Sequence, residues 1–485
     1  MRELTTDVAI IGAGTAGLNA RKEVEAAGKS WLLIEGGPLG TTCARVGCMP
    51  SKLLIAAADA AHEIQESWRF GMNVEPAGWS IDGKAVMDRV RRERDRFAGF
   101  VVAANDALPQ DQLIRGFARF VGPTTLEMDA RPGVPATRIQ AGAVVVATGS
   151  HPWIPPVLRP IRGRVMVNDD VFEMTDLPSK AAVFGTGVIA LELGQALHRL
   201  GVQVSFFNPG SSVGPLSDPE VKAKARAVLG KELDLHLGVD VRTVEAIGTG
   251  PIRIAWRDAD GEEDEGLFDA VIAAAGRRPN LGVLNLEAAG IPLHGRGVPV
   301  IDVRTMQAGD APIFIAGDVT GDRTLLHEAS DEGRIAGSNA ARFPDVVAGL
   351  RRTPLAITFT DPQIALVGQR HAELDLRNVE IGEVSYDDQG RARVMGKNAG
   401  LVRIYADRAT CKLIGAELFG PRVEHTAHLL AWAIQQGLRA QDALEMPVYH
   451  PVVEEGIRTA LRDLVGKLRV AGGCPPQDRA DGPGE

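Results

Sequence analysis

The apolar and polar positions of this chain follow one pattern twice. From Asp7, DVAIIGAGTAGLNARKEVEAAGKSWLLIEGG reads as apolar strand, glycine turn, helix and second apolar strand. From Ala181, AAVFGTGVIALELGQALHRLGVQVSFFNPGS reads the same way. The turns are Gly12-x-Gly14-x-x-Gly17 and Gly185-x-Gly187-x-x-Ala190. In both copies the second strand closes at the same distance from the first glycine, on Glu35 and on Asn208. A glycine turn with a strand before it and a helix after it is a dinucleotide-binding βαβ unit. Its glycines let backbone approach a pyrophosphate, which the helix N-terminus then stabilises. The first copy is complete; the second has Ala190 for its third glycine and lacks the acid.

Two further apolar runs end in short loops, AVVVATGS over 143–150 and AVIAAAGRRPN over 270–280. IFIAGDVTG, 313–321, predicts a strand ending at Asp318. Lys84 to Leu108 predicts a long helix carrying Arg89, Arg91, Arg92, Arg94 and Arg96, either a solvated face or a dock for an acidic partner. After Phe343 the pattern changes. ITFTDPQIALVG and LVRIYADRATCKLIGAELFG predict strands with turns, and VEHTAHLLAWAIQQGL predicts an amphipathic helix. The expected class is α/β, with two Rossmann-like dinucleotide-binding domains and a C-terminal α+β domain. The first domain is expected over 1–150 and 280–345, the second over 151–279 and the third over 346–466. The remaining 467–485, rich in Pro, Gly and charge, predicts a disordered tail.

Composition narrows the classes of function. The 485 residues, 45% hydrophobic and 24% charged, form an ordinary globular mixture. A net charge of −9 removes the positive field a nucleic-acid binder needs. No apolar run approaches the roughly 18 residues that span a bilayer. The N-terminus enters a strand almost at once, which argues against a secretory signal. Only four cysteines occur, at 43, 48, 411 and 474, and the expected compartment is a reducing cytoplasm. There a close cysteine pair is more often catalytic or metal-binding than structural.

Cys43 and Cys48 are such a pair, in GTTCARVGCMPSK. No second Cys-x-x-Cys and no His pair accompanies them to complete a zinc site, so no metal is expected. A disulfide closing so small a loop would constrain the unfolded chain little. A redox pair fits the two nucleotide motifs better. In a regular helix two residues at this spacing rise about 7.5 Å along the axis. Disulfide Cα atoms prefer about 4.4–6.8 Å. Bonding therefore needs a distorted turn, which Gly47 eases, and a strained disulfide is more easily reduced. A helix N-terminus and Arg45 would lower a thiol pKa. Cys411, in a strand-like run, reads as a buried core residue; Cys474 has no assigned role.

GTTCARVGCMPSK resembles the redox-active motif of the FAD-dependent pyridine nucleotide-disulfide oxidoreductases. The similarity runs in order over roughly residues 5–465, through both glycine motifs, ATGS, Gly317-Asp318 and MPVYHPVVEEGI. It implies FAD on the first copy, at Gly12, Gly14 and Gly17, with Glu35 on its ribose. It places Thr148 and Gly149 near FAD, the backbone of Ala118 near the adenine, and Asp318 on the ribityl chain. Backbone around Leu326 is expected close to the flavin. Lys52 is expected by the flavin N5, paired with Glu192. A nicotinamide is implied at Gly185, Gly187, Val188 and Gly276. Cys43 is implied as the interchange cysteine and Cys48 as the thiolate against the flavin ring. His450-Pro451, followed by Glu455, matches the family's catalytic His-Pro and its glutamate. A thiolate mechanism needs a base, and the base an orienting carboxylate. In the family this pair reaches across a homodimer into the partner's active site, and the His450-Pro451 bond is cis in relatives.

Three departures bear on substrate. Asn208 stands where NAD enzymes have an acid, yet SFFNPGSSVGPLSD has no basic residue for a 2′-phosphate, and Asn208 can still bond a ribose hydroxyl. NAD is therefore favoured, with NADP left open. Val452 and Glu454 replace a common Thr and Ser beside the base, and Arg45 replaces an asparagine. Mercuric reductase-like members carry a C-terminal cysteine pair, glutathione reductase-like members carry NADPH-binding arginines, and transhydrogenase-like members lack the first redox cysteine. The branch that fits best oxidises protein-bound dihydrolipoamide, passing electrons through a Cys43–Cys48 disulfide and FAD to NAD. Its partner would be a lipoyl domain, met by the arginine-bearing helix. The alternatives are an NAD(P)H-dependent reductase of another low-molecular-weight or protein disulfide, and a non-enzymatic flavin redox sensor, which would need no dedicated base.

Overall fold

The computed structural model describes residues 1–75, 78–130, 135–295 and 297–471. The chain forms two compact units, each built from separate stretches. The first comprises Met1–Leu53, Asp88–Trp153 and Gly276–Arg351; the second comprises Leu54–Met87, Ile154–Ala275 and Arg352–Glu485. The architecture is α/β, as expected.

In the first unit a seven-stranded sheet is centred on Arg2–Ile11. Trp31–Glu35 and Thr137–Val146 flank that strand in parallel, with Ile11 level with both Ile34 and Val146. Ile313–Ile315 adds in parallel beside Thr137–Val146. Val8, Ile10, Val144 and Val145 are fully buried, as continuous apolar runs in a sheet covered on both faces should be. The shared register brings the ends of all four strands to one carboxyl edge, where open α/β sheets take their ligands. The strand expected to end at Asp318 ends at Ile315 instead. Gly317, at φ +83°, breaks the extended run and turns Asp318 into a short 3-10 turn, Asp318–Thr320.

One face of this sheet carries the helix Thr15–Ala26, which buries Ala16, Gly17, Ala20 and Val24. The helix Leu326–Arg342 lies directly on it. A side chain at Gly333 would overlap the Ala16 carbonyl, and one at Gly337 would overlap that of Ala20. Small residues at these four positions set the close approach.

The second unit repeats the parallel theme in five strands. They run in the order Asp234–Leu237, Gln203–Asn208, Lys180–Phe184, Ala270–Ala273, Val165–Met166. Beside it lie a three-stranded antiparallel sheet (Asp240–Ala246, Ile252–Arg257, Glu263–Phe268) and the C-terminal five-stranded antiparallel sheet. The latter packs under the helices Val423–Gln435 and Glu455–Val470 around Val402, Ile404, Leu418, Leu430 and Leu464. Cys411 is buried in this core. The last helix continues past 466 and buries Leu468, where a disordered tail was expected; Cys474 and the rest of that tail lie outside the described residues. Among the described residues no helix is long and apolar enough to cross a membrane.

Candidate redox site

The two glycine loops share one local geometry. Gly12 sits at φ +110° and Gly185 at φ +116°, a region that favours glycine. A side chain on either would overlap a carbonyl of the neighbouring strand's loop, Ala147 in one case and Ala274 in the other. Gly14 and Gly187 each cap a helix at φ −78°, and a Cβ on either would meet nothing within 4 Å. Neither helix, Thr15–Ala26 or Val188–Arg199, has a capping side chain or an acidic residue in its first turn. First-turn N–H groups facing open space at a positive helix end fit a dinucleotide pyrophosphate at each loop.

The residues closing the second strands behave differently. Glu35 accepts the Ala13 N–H at 2.8 Å on Oε2 and the Gly37 N–H at 2.6 Å on Oε1. Asn208 donates from Nδ2 to Thr186 Oγ1 at 2.6 Å, and Thr186 in turn donates to the Ser212 carbonyl at 2.5 Å. Each side chain thus ties the strand end to the middle residue of its own glycine loop, Ala13 or Thr186.

The ATGS loop is knitted to the Gly317 turn within the first unit. Thr148 Oγ1 donates to the Asn280 carbonyl at 2.8 Å, and Asn280 returns a bond to the Thr148 carbonyl at 2.8 Å. Ser150 Oγ donates to Asp318 Oδ2 at 2.7 Å and accepts from Arg277 Nε at 2.8 Å. Gly149 and Gly276 both have positive φ and open space at the Cβ position. Ala118 opens the short strand Ala118–Phe120 and is buried; Leu326 opens its helix and is exposed.

The cysteine segment is two helices rather than one. Thr42–Val46 holds Cys43, and Cys48 begins Cys48–Gln65. The break falls at Gly47, where a Cβ would come within 3.0 Å of the Thr42 carbonyl and 3.2 Å of Cys43 Cα. Both cysteines are thiols, not joined in a disulfide, with Cys48 exposed and Cys43 partly buried. The Cys43 thiol is pushed far up from its ordinary range, first by its hydrogen bond with Cys48, then by burial and by charge on Cys48. Lys52 is the cation that pulls it back down. Arg45 had been the expected cation, but Lys52 lies one turn beyond Cys48 on its helix.

Cys43, Cys48 and Lys52 belong to the first unit; Glu192, His450 and Glu455 belong to the second. Glu192 is buried, and its Oε1 accepts the Phe359 N–H at 3.0 Å. The His450–Pro451 bond is cis. His450 Nδ1 meets Glu455 Oε1 at 2.9 Å, and Glu455 Oε2 accepts the Val452 N–H at 3.0 Å. Burial pushes the Glu455 carboxyl up, but the bonds from His450 and Val452 outweigh it and hold the group below its usual range. Gln389 Nε2 donates to the Val452 carbonyl at 2.8 Å and fixes the loop from outside. The histidine itself is 80% exposed on this chain.

Sequence reasoning missed Ser150, Arg277 and Thr186. Each left a local signal: Thr186 between two motif glycines, Ser150 at the end of ATGS and Arg277 beside Gly276. The arginine-bearing helix, Gly83–Asp106, differs from a basic face. Arg91 pairs with Asp88, Arg92 and Arg96 with Glu93, and Arg94 is buried beside Asp95.

Comparison with known proteins places this geometry. The family model for pyridine nucleotide-disulphide oxidoreductases matches residues 6–333, and that family's dimerisation domain matches 355–461. A dihydrolipoyl dehydrogenase of Pseudomonas aeruginosa is 30% identical over 96% of this chain and 99% of its own. One from Thermus scotoductus is 29% identical over 95% and 97%. A mercuric reductase of Staphylococcus aureus is 28% identical over 94% of this chain and 81% of its own. Among solved structures, the HOCl-induced flavoprotein disulfide reductase RclA from Escherichia coli shares the fold, with a TM-score of 0.77 at 21% identity, covering 95% of this chain and 99% of that one.

Proposed function

This chain belongs to the pyridine nucleotide-disulphide oxidoreductase family, and from that premise we propose that it oxidises protein-bound dihydrolipoamide to lipoamide. Its cofactors are FAD and NAD(H), those of the family. The observation that carries the reading is the cysteine pair split across Gly47, with Cys43 held as the protonated member. Full-length similarity to dihydrolipoyl dehydrogenases favours this substrate over other disulfides.

In the proposed cycle Cys43 and Cys48 start as a disulfide. His450, oriented by Glu455, takes a proton from one thiol of the substrate. The resulting thiolate attacks Cys43 and breaks the Cys43–Cys48 bond, leaving Cys48 as a thiolate. The second substrate thiol then displaces Cys43, which takes up a proton. Two electrons have left the substrate and now reside on the cysteine pair. Bound FAD and NAD supply the onward redox chemistry, and the protein supplies orientation and charge. Lys52 holds positive charge beside the cysteines. Asp318, Thr148, Gly149 and the first glycine loop would hold FAD; Gly185, Gly187, Val188, Asn208 and Gly276 would hold the nicotinamide. Glu35 would bond the FAD ribose, and Ala118 and Leu326 would offer backbone to adenine and flavin.

The C-terminal part is the family's dimerisation domain. In the proposed homodimer His450 serves the partner's cysteines, which accounts for a base so exposed on its own chain. Exposed Trp432, Leu429 and Tyr449 supply apolar surface for that contact. A lipoyl domain remains the proposed protein partner, but the compensated helix Gly83–Asp106 is a poor dock for its acids.

The test is anaerobic mixing of the oxidised yellow protein with dihydrolipoamide, then with NAD⁺, while the visible spectrum is recorded. A rapid long-wavelength thiolate-to-flavin band followed by NADH is expected. A band with NADH or NADPH but none with dihydrolipoamide would reject this substrate and make the protein a reductase of another disulfide.

A further inference from the structure

Glu332 is a carboxylate with no solvent exposure, on the helix that Leu326 opens. Its Oε2 accepts the N–H of Gly317 at 2.8 Å. Gly317 is the left-handed residue that turns the chain into Asp318, and a buried N–H there would be costly to leave unpaired. Asp318 Oδ2 takes the Ser150 hydroxyl, while Oδ1 has no protein partner among the described residues. The acceptor is itself fixed. Gly333, the next residue, lies so close to the helix Thr15–Ala26 that a side chain there would overlap the Ala16 carbonyl, so the backbone beside Glu332 cannot move toward that helix.

Arg351 also pairs with Glu332, and Glu332 is not its sole acid. Arg351 already pairs with Glu328 at 3.0 Å and donates to the Val303 carbonyl at 3.1 Å. Its Nη2 lies 2.9 Å from Glu332 Oε1, an ion pair without a well-directed hydrogen bond. Burial pushes Glu332 up to about 7, so this acid is kept at a cost. Besides the pair with Arg351, the arrangement delivers a hydrogen bond to the Gly317–Asp318 turn.

We propose that Glu332 is a positioning residue for the flavin cofactor, fixing the Gly317–Asp318 turn so that Asp318 meets the ribityl chain. The proposal rests on the reading of Asp318 as an FAD ligand.

The experiment is a fluorescence titration of FAD-stripped protein with FAD, comparing Glu332→Asp, Glu332→Gln and Asp318→Ala. Glu332→Asp keeps the charge but withdraws the oxygen; the FAD dissociation constant is expected to rise about tenfold or more, the effect of one buried hydrogen bond. Glu332→Gln keeps the acceptor and is expected to stay within about threefold. Asp318→Ala is expected to weaken FAD as well. If Asp318→Ala weakens FAD but Glu332→Asp does not, the proposal falls and the Asp318 reading stands. An unchanged Asp318→Ala would sink that reading and the proposal with it. A loss in Glu332→Gln with none in Glu332→Asp would make charge, not the acceptor, the operative feature, and equal losses in both would make side-chain packing the operative feature; either overturns the proposal. Should Glu332→Asp fail to fold, amide exchange at Gly317 in the wild-type protein gives the same answer: strong protection is expected, and fast exchange would overturn it.

Discussion

Glu332 also leaves a signature in stability. Its carboxyl titrates near 7 in the folded protein against an ordinary 4.5, because burial outweighs the pull of Arg351 and the Gly317 N–H. Between those two values the folded state keeps a proton the unfolded state has lost. Stability from this group is therefore full below pH 4.5 and is lost as pH rises to 7, by about 3 kcal/mol at most. Glu332→Gln should remove that slope, which thermal midpoints of both proteins measured across this pH range would reveal. The proposed base and its carboxylate, His450 and Glu455, predict a different loss. Glu455→Ala should slow dihydrolipoamide oxidation about 100-fold or more, the range of a disabled general base, while anaerobic flavin reduction by NADH is unaffected. Equal loss in both half-reactions would reject the proposed role. The His450–Glu455 contact was legible in sequence because the two stand in one short motif that resembles the family's His-Pro and glutamate, and a contact within one loop is local. Glu332 was not, since nothing in hydropathy marks an acid that is buried to hold a remote backbone N–H.

At the scale of elements, both glycine motifs were read with their strands and helices intact, because glycine geometry and apolar runs are local. The cysteine turn was read only as distorted; its resolution into two helices at Gly47 depends on how closely the Thr42 carbonyl and Cys43 Cα approach. Gly47→Ala adds a methyl where backbone stands 3.0 Å away, so the short helix Thr42–Val46 and the helix Cys48–Gln65 must part by a few tenths of an ångström. Flavin content should be retained. The rate at which dihydrolipoamide raises the long-wavelength band should fall roughly 10- to 100-fold, as small misplacements of reacting atoms do. A wild-type rate would mean the Gly47 break does not set sulfur geometry. Conversely, the strand before Asp318 was overextended in the reading because alternation and apolarity carry no sign of a left-handed glycine at its end.

At the scale of the molecule, the composition of the second unit has a polar cause that hydropathy cannot see. Asp218, fully buried, caps the helix Pro219–Leu229 and accepts from Arg403 at 2.8 Å and from the Tyr405 hydroxyl at 2.9 Å. Glu417, also fully buried, accepts the N–H groups of Ser217, Asp218 and His371 at 2.8, 2.9 and 3.0 Å. Burial and the two carboxylates push the Tyr405 phenol far up, keeping it a donor. One loop after the second glycine motif is thereby bound to strands Leu401–Asp407 and Leu413–Gly420 of the C-terminal sheet. Sequence alone ranks such acids as surface residues, and their partners lie up to 200 positions away. A buried pair is worth little against an apolar replacement, but breaking it strands a charge at about 3–5 kcal/mol. Arg403→Met should therefore lower the thermal midpoint by several degrees. Adding Asp218→Asn should recover part of that loss, since the stranded charge is gone while the Tyr405 and helix-cap bonds keep an acceptor. If the double variant is no more stable than Arg403→Met alone, the loss comes from packing, and charge pairing is not what joins loop to sheet.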